Sequence, residues 1–210
     1  MNYYYLHGFS SSPHSAKAKY FRDRFHTVNQ PLEVLDFNQN DFSHLTLTRQ
    51  IEQVVGTLPS TSEPVTLIGS SFGGLTAVWV AEQCPQVERI ILLAPAFGFP
   101  ENWMHRLTCH QQKQWKDDGY FSVYHFGYGR ELPLHFNFIS DAKNYKLEDV
   151  QRNLPTLIIH GEQDEVIPCQ SSRDYSQTRP WVQLITLASD HSLGNVISQI
   201  WQSIQQFCQL

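Results

Sequence analysis

The 210-residue sequence predicts an α/β domain, a mainly parallel central sheet with helices on both faces. Three observations carry that prediction. Apolar runs of strand length alternate with segments of helical period along most of the chain. RIILLA (89–94) is apolar at nearly every position, as expected of a strand covered on both faces of a parallel sheet, and LIIH (157–160) repeats the strand pattern. GLTAVWVAEQC (74–84) is rich in small residues and apolar on more than one side, the composition of a helix buried against a sheet.

The elements follow in order. Tyr3-Tyr4-Tyr5-Leu6-His7 reads as the first strand, ended by Gly8. Ser12 and Pro13, as cap and first-turn residues, open a helix to Phe25 that turns Tyr20 and Phe21 toward the core. Glu33–Phe37 is a short second strand, and Phe42–Leu58 carries Leu45, Leu47, Ile51, Val54 and Val55 at mostly helical spacing before Pro59. Val65–Ile68 is a third strand, Gly74–Cys84 a helix and Arg89–Ala94 a central strand. Leu157–His160 and Val182–Leu187 are the last strands, and an amphipathic helix over Leu193–Phe207 closes the chain. Residues 99–150 break this rhythm with aromatic side chains and glycines; they predict one helix near 101–117 and a hairpin-like excursion, inserted between two core strands. With no repeat or flexible linker, 1–210 reads as a single domain bearing that insertion.

Composition limits the function. A net charge of -5 gives little support for a nucleic-acid partner. No window is apolar enough for a membrane helix and the N-terminus has no signal-peptide pattern, so a soluble, unprocessed protein without a membrane partner is expected. Cys84, Cys109, Cys169 and Cys208 are scattered, as reduced thiols in a cytoplasm would be. The oligomeric state is not legible. Metal is not expected either, because HExxH, HxxxH and Cys/His clusters are absent and His105 and His110 are five apart.

The chemistry concentrates in LIGSSFGG (67–74). In a strand, turn, helix context, G-x-S-x-G is a nucleophile elbow, whose glycines leave room for a strained serine beside neighbouring backbone. Ser71 has Gly69 and Gly73 at the required positions, whereas Ser70 has Ile68 and Phe72. Ser71 is therefore the candidate nucleophile and Ser70 its neighbour in the turn. A serine needs a base and a carboxylate, which in hydrolase order follow on later strand-end loops. Gly161-Glu162-Gln163-Asp164-Glu165 and Ser189-Asp190-His191 supply them; spacing leaves Asp164, Glu162 and Glu165 open as the acid, with His191 the base. The backbone N–H of Phe72 and that of Phe9, in the turn at His7-Gly8, are placed for an oxyanion hole, with His7 bracing the loop.

YLHGFSSSP, GSSFGG, GEQDEVIP and SDHSL, taken together and in order, resemble the α/β-hydrolase superfamily and specifically the small bacterial YqiA/YcfP-type esterases. The resemblance spans nearly the whole chain. It implies the α/β-hydrolase fold, no cofactor, a small-molecule ester or thioester substrate, and a triad of Ser71, Asp164 and His191; the choice of Asp164 over Glu162 and Glu165 rests on it. Because the family varies over 99–150, substrate preference does not carry over. About half of the aromatic side chains there are expected in the core, with Tyr124, Phe126, Tyr128 and Phe136 lining an acyl pocket. The alternatives are acyl transfer or peptidase action with the same triad, or binding without turnover.

Overall fold

The computed structural model describes residues 1–60 and 62–210. Six strands, β1 (Asn2–Leu6), β2 (Leu32–Leu35), β3 (Val65–Ser70), β4 (Val87–Leu93), β7 (Thr156–Gly161) and β8 (Val182–Leu187), form one sheet in the order β2-β1-β3-β4-β7-β8. Every pairing in it is parallel. Period-two alternation divides the side chains between two cores. Tyr4, Leu6, Leu67, Ile90, Leu92 and Ile158 enter one apolar cluster, while Tyr3, Tyr5, Ile68, Ile91, Leu93 and Ile159 enter the other. The first is covered by α2 (Leu47–Thr57), α3 (Phe72–Gln83) and α7 (Cys169–Gln177), the second by α1 (Ala16–Thr27) and α8 (Ile197–Cys208). Helix α3 follows β3 with only Ser71 between them.

The segment 99–150 contains α4 (Glu101–Met104), α5 (Cys109–Asp118), the antiparallel hairpin β5 (Tyr120–His125) and β6 (Arg130–His135), and α6 (Asn137–Ala142). Trp115, Leu134 and Phe138 from this segment are buried in the same cluster as Leu67 and Leu92, so the insertion shares the main core. The Trp115 indole N–H donates to the Leu134 carbonyl at 2.8 Å, tying α5 to the hairpin.

Several helix boundaries differ from the sequence expectation, at α1, α2 and α5 because a side-chain cap sets where the helix starts. Helix α1 begins at Ala16, since Ser15 rather than Ser12 accepts from a first-turn N–H, that of Ala18; Ser12 instead accepts from the His14 N–H. Phe21 is buried as expected, but Tyr20 is only partly buried, with the Arg24 guanidinium over its ring. The 42–58 helix is a 3-10 turn, Phe42–His44, followed by α2 with Thr46 as its cap. The expected helix at 101–117 is two helices, because Thr108 and Gln111 form a capping box that starts α5 afresh. Helix α3 starts at Phe72 rather than Gly74.

Candidate active site

Ser71 joins the C-terminal end of β3 to the first residue of α3, and its backbone has φ 54° and ψ -117°, a conformation that non-glycine residues rarely adopt. Hydrogen bonds on both sides hold it there: its N–H donates to the Leu93 carbonyl at 2.8 Å, and its carbonyl accepts from the Ala96 N–H at 3.0 Å. The glycines make the turn possible. A Cβ on Gly73 would lie 2.6 Å from the His7 carbonyl oxygen, and one on Gly69 2.6 Å from Gly74 Cα, separations that real Cβ atoms do not show. Gly8 brings the loop after β1 against the serine, since a Cβ there would lie 3.2 Å from Ser71 Cβ.

The residues predicted from three distant parts of the chain meet at the C-terminal edge of the sheet, where parallel sheets place their sites. His191 Nε2 is 3.1 Å from Ser71 Oγ, and His191 Nδ1 is 2.7 Å from Asp164 Oδ2. The Asp164 side chain is 0% exposed, whereas that of His191 is 21% exposed. With a carboxylate facing it, Nδ1 carries the proton and donates, which leaves the Nε2 lone pair toward the serine hydroxyl. Glu162 is exposed and accepts from the Thr186 hydroxyl, and Glu165 is exposed.

Asp164 is held by four donors. Its Oδ1 accepts from the backbone N–H groups of Val166 (2.8 Å) and Ile167 (2.7 Å), and its Oδ2 accepts from His160 Nε2 (3.1 Å) as well as from His191. Burial on its own raises the carboxyl pKa, but the bonds from His160, His191 and the Ile167 N–H outweigh it and hold the group well below the usual carboxylate range. His160, fully buried at the end of β7, was not singled out by sequence reasoning; its Nδ1 is 2.7 Å from Ser172 Oγ on α7. The available signal was a polar residue ending an otherwise apolar strand.

In the loop after β1, His7 Nε2 accepts from the Phe37 N–H at 3.1 Å, so Nδ1 carries the proton and donates to the Gly8 carbonyl at 2.9 Å. Among the described residues, neither the Phe9 nor the Phe72 backbone N–H has a protein acceptor. Both residues flank a cavity of about 360 Å³ that also reaches Ser71 and His191. Its walls are chiefly apolar, including Phe97, Phe99, Trp103, Phe138, Val166 and Ile167, with Arg106 and Asn102 the polar additions from the insertion. Tyr124 and Phe126 line it, but Tyr128 and Phe136 do not. Tyr128 stacks on His125 with centroids 4.2 Å apart, and Phe136 packs edge-on against Trp115 at 5.5 Å.

A model of the uncharacterised protein family UPF0227 matches residues 2–209. The chain belongs to the UPF0227 family. A curated relative, the pimeloyl-[acyl-carrier protein] methyl ester esterase of Xylella fastidiosa (strain 9a5c), is 32% identical over 94 residues, 43% of this chain and 37% of the relative. The chain thus matches well under half the length of that protein. Among solved structures, α/β-hydrolase domain-containing protein 10 from mouse superposes with a TM-score of 0.81 at 20% identity, over 99% of this chain and 89% of that one. Est1E from Butyrivibrio proteoclasticus, with ferulic acid bound, superposes with a TM-score of 0.81 at 17% identity over 98% of this chain and 87% of Est1E. The fold is that of the α/β hydrolases, and the resemblance carried by the four sequence motifs holds. No helix among the described residues is long and apolar enough to cross a membrane.

Proposed function

We propose that the protein is a serine esterase or thioesterase working through an acyl-enzyme. The observation that carries the reading is the continuous hydrogen-bonded chain Ser71 Oγ, His191, Asp164, at 3.1 and 2.7 Å, opening on an apolar cavity. His191 Nε2 takes the proton as Ser71 Oγ attacks the carbonyl carbon. Asp164 fixes the imidazole tautomer and stabilises the imidazolium that results. The free N–H groups of Phe9 and Phe72 receive the oxyanion, Phe72 with the added polarity of a helix start. Collapse of the intermediate expels the alcohol or thiol, which takes the proton from His191. Water, deprotonated by the same histidine, then releases the acid and restores Ser71. The acyl group occupies the aromatic-lined cavity. The relative's name, a methyl ester esterase, supports carboxylic esters as the substrate class.

The full reading is that of one domain, 1–210, acting without a cofactor, and its four free cysteines suit a reducing cytoplasm. Hydrolysis of a panel of nitrophenyl esters and acyl-CoA thioesters of increasing chain length tests it. Wild type is expected to turn over at least one class, and Ser71→Ala to lose about four to six orders of magnitude in kcat. Absence of turnover across the panel favours a binding protein on the hydrolase fold.

A further inference from the structure

One charged group beside the nucleophile has no part in this chemistry. Lys17 lies in the first turn of α1, four and eight residues before Phe21 and Phe25, which are fully buried. That stripe packs on the sheet face toward which Ser70, two residues beyond Ile68, directs its side chain. The Lys17 ammonium donates to Ser70 Oγ at 3.0 Å, and no carboxylate among the described residues lies within 4.0 Å of it.

The titratable groups around it are Asp164 and Asp190, on the loops after β7 and β8, and the Tyr5 phenol of β1, which also contacts Ser70. Burial outweighs the pull of the two carboxylates and lowers the lysine pKa to about 8. The Lys17 side chain is partly buried, and an ammonium withdrawn from water without a contacting counter-ion costs some stability that a methionine of similar length would not. The charge therefore acts on its single close partner, Ser70, whose peptide bond leads directly into the strained Ser71.

Resting on the reading of Ser71 as nucleophile, we propose that Lys17 is a positioning residue of the elbow: by clamping Ser70 it keeps Ser71 Oγ aligned with His191 Nε2. Steady-state kinetics and thermal unfolding of Lys17→Met, Lys17→Arg, Ser70→Ala and the Lys17→Met/Ser70→Ala double variant test this. Lys17→Met is expected to lower kcat about 10- to 100-fold, the scale of a small misplacement of reacting groups, with KM changed by less than about twofold. Its melting temperature should stay level or rise slightly, because a partly desolvated charge has been removed. A purely structural lysine would give the opposite pattern, lower stability with kcat retained.

Lys17→Arg should recover part of the rate. Ser70→Ala should show the same kcat loss, and the double variant no further loss, since both residues act along one path. The Ser70→Ala comparison decides the matter should Lys17→Met not fold. Wild-type kcat in both Lys17→Met and Ser70→Ala, or losses that multiply in the double variant, overturns the inference while leaving the nucleophile reading intact. Wild-type protein that neither hydrolyses esters nor reacts with a serine-directed phosphonate overturns both.

Discussion

Replacing Asp164 with asparagine keeps the shape of the side chain and removes only its charge and half of its acceptor capacity. In the native site Oδ1 serves two backbone N–H groups at 2.8 and 2.7 Å, while Oδ2 serves His191 and His160 at 2.7 and 3.1 Å. The asparagine carbonyl can stay on the two backbone donors, so the loop keeps its path. Its amide then faces both histidines as a donor. His191 must turn its Nδ1 lone pair toward that amide and carry its proton on Nε2, where it faces Ser71 and cannot act as a base.

The expected loss in kcat is about 10⁴-fold, or about 5 kcal/mol of transition-state stabilisation, the scale seen when a triad histidine is held in the wrong tautomer. His160 loses an acceptor but retains the Ile167 carbonyl at 3.0 Å, so the stability loss should stay within about 1–3 kcal/mol. Initial rates on a chromogenic short-chain ester, with thermal unfolding in parallel, measure both quantities. Glu162→Gln and Glu165→Gln, at exposed carboxylates, serve as controls and should change kcat by less than about threefold. A loss in Asp164→Asn of less than about tenfold, or an equal loss in either control, would refute the assignment.

Other consequences follow from the same geometry. Because the Asp164 pKa is lowered on folding, its contribution to stability is fully present above the unfolded carboxyl value, about 3.9, and is lost as pH falls from there through the native value. Denaturant midpoints measured between neutral and strongly acidic pH should accordingly fall less steeply for Asp164→Asn than for wild type. Gly73→Ala pushes a Cβ against the Leu6 and His7 carbonyls and displaces the loop carrying the Phe9 N–H; kcat should drop about 10²- to 10³-fold. Gly56→Ala, in α2 with nothing within 4 Å of the added methyl, should instead raise stability by up to about 1 kcal/mol, read as a higher melting temperature. Phe126 is 77% exposed at the cavity wall, so Phe126→Ala should leave the melting temperature unchanged and raise KM for long-chain or aromatic acyl esters only.

The proposed nucleophile was legible because backbone crowding leaves a direct mark on sequence: only glycine fits where a Cβ would strike the His7 carbonyl or Gly74, and that spacing selects Ser71 over Ser70. Period and composition likewise revealed the parallel strands, since burial on both faces demands continuous apolar runs. The proposed acid, Asp164, was not legible from spacing, because Glu162, Asp164 and Glu165 differ in burial, and burial depends on which way the loop after β7 turns. His160 passed unnoticed because its role needs α7 and the Asp164 loop, which reach it only in three dimensions. Lys17 was missed although its offset from Phe21 and Phe25 puts it on the apolar stripe of α1. For the aromatic residues of the insertion, local pattern cannot separate cavity from core: Tyr128 and Phe136 are satisfied by His125 and Trp115, whereas Tyr124 and Phe126 face the opening. The start of α1 lies later than the sequence pattern suggests because Ser15, not Ser12, caps it.

The most direct test of the central claim is reaction of the folded protein with a fluorophosphonate, followed by peptide mass spectrometry to locate the adduct. A single adduct on Ser71 is expected, abolished in Ser71→Ala and still formed, more slowly, in Ser70→Ala. An adduct on Ser70, or labelling that persists in Ser71→Ala, would contradict the account.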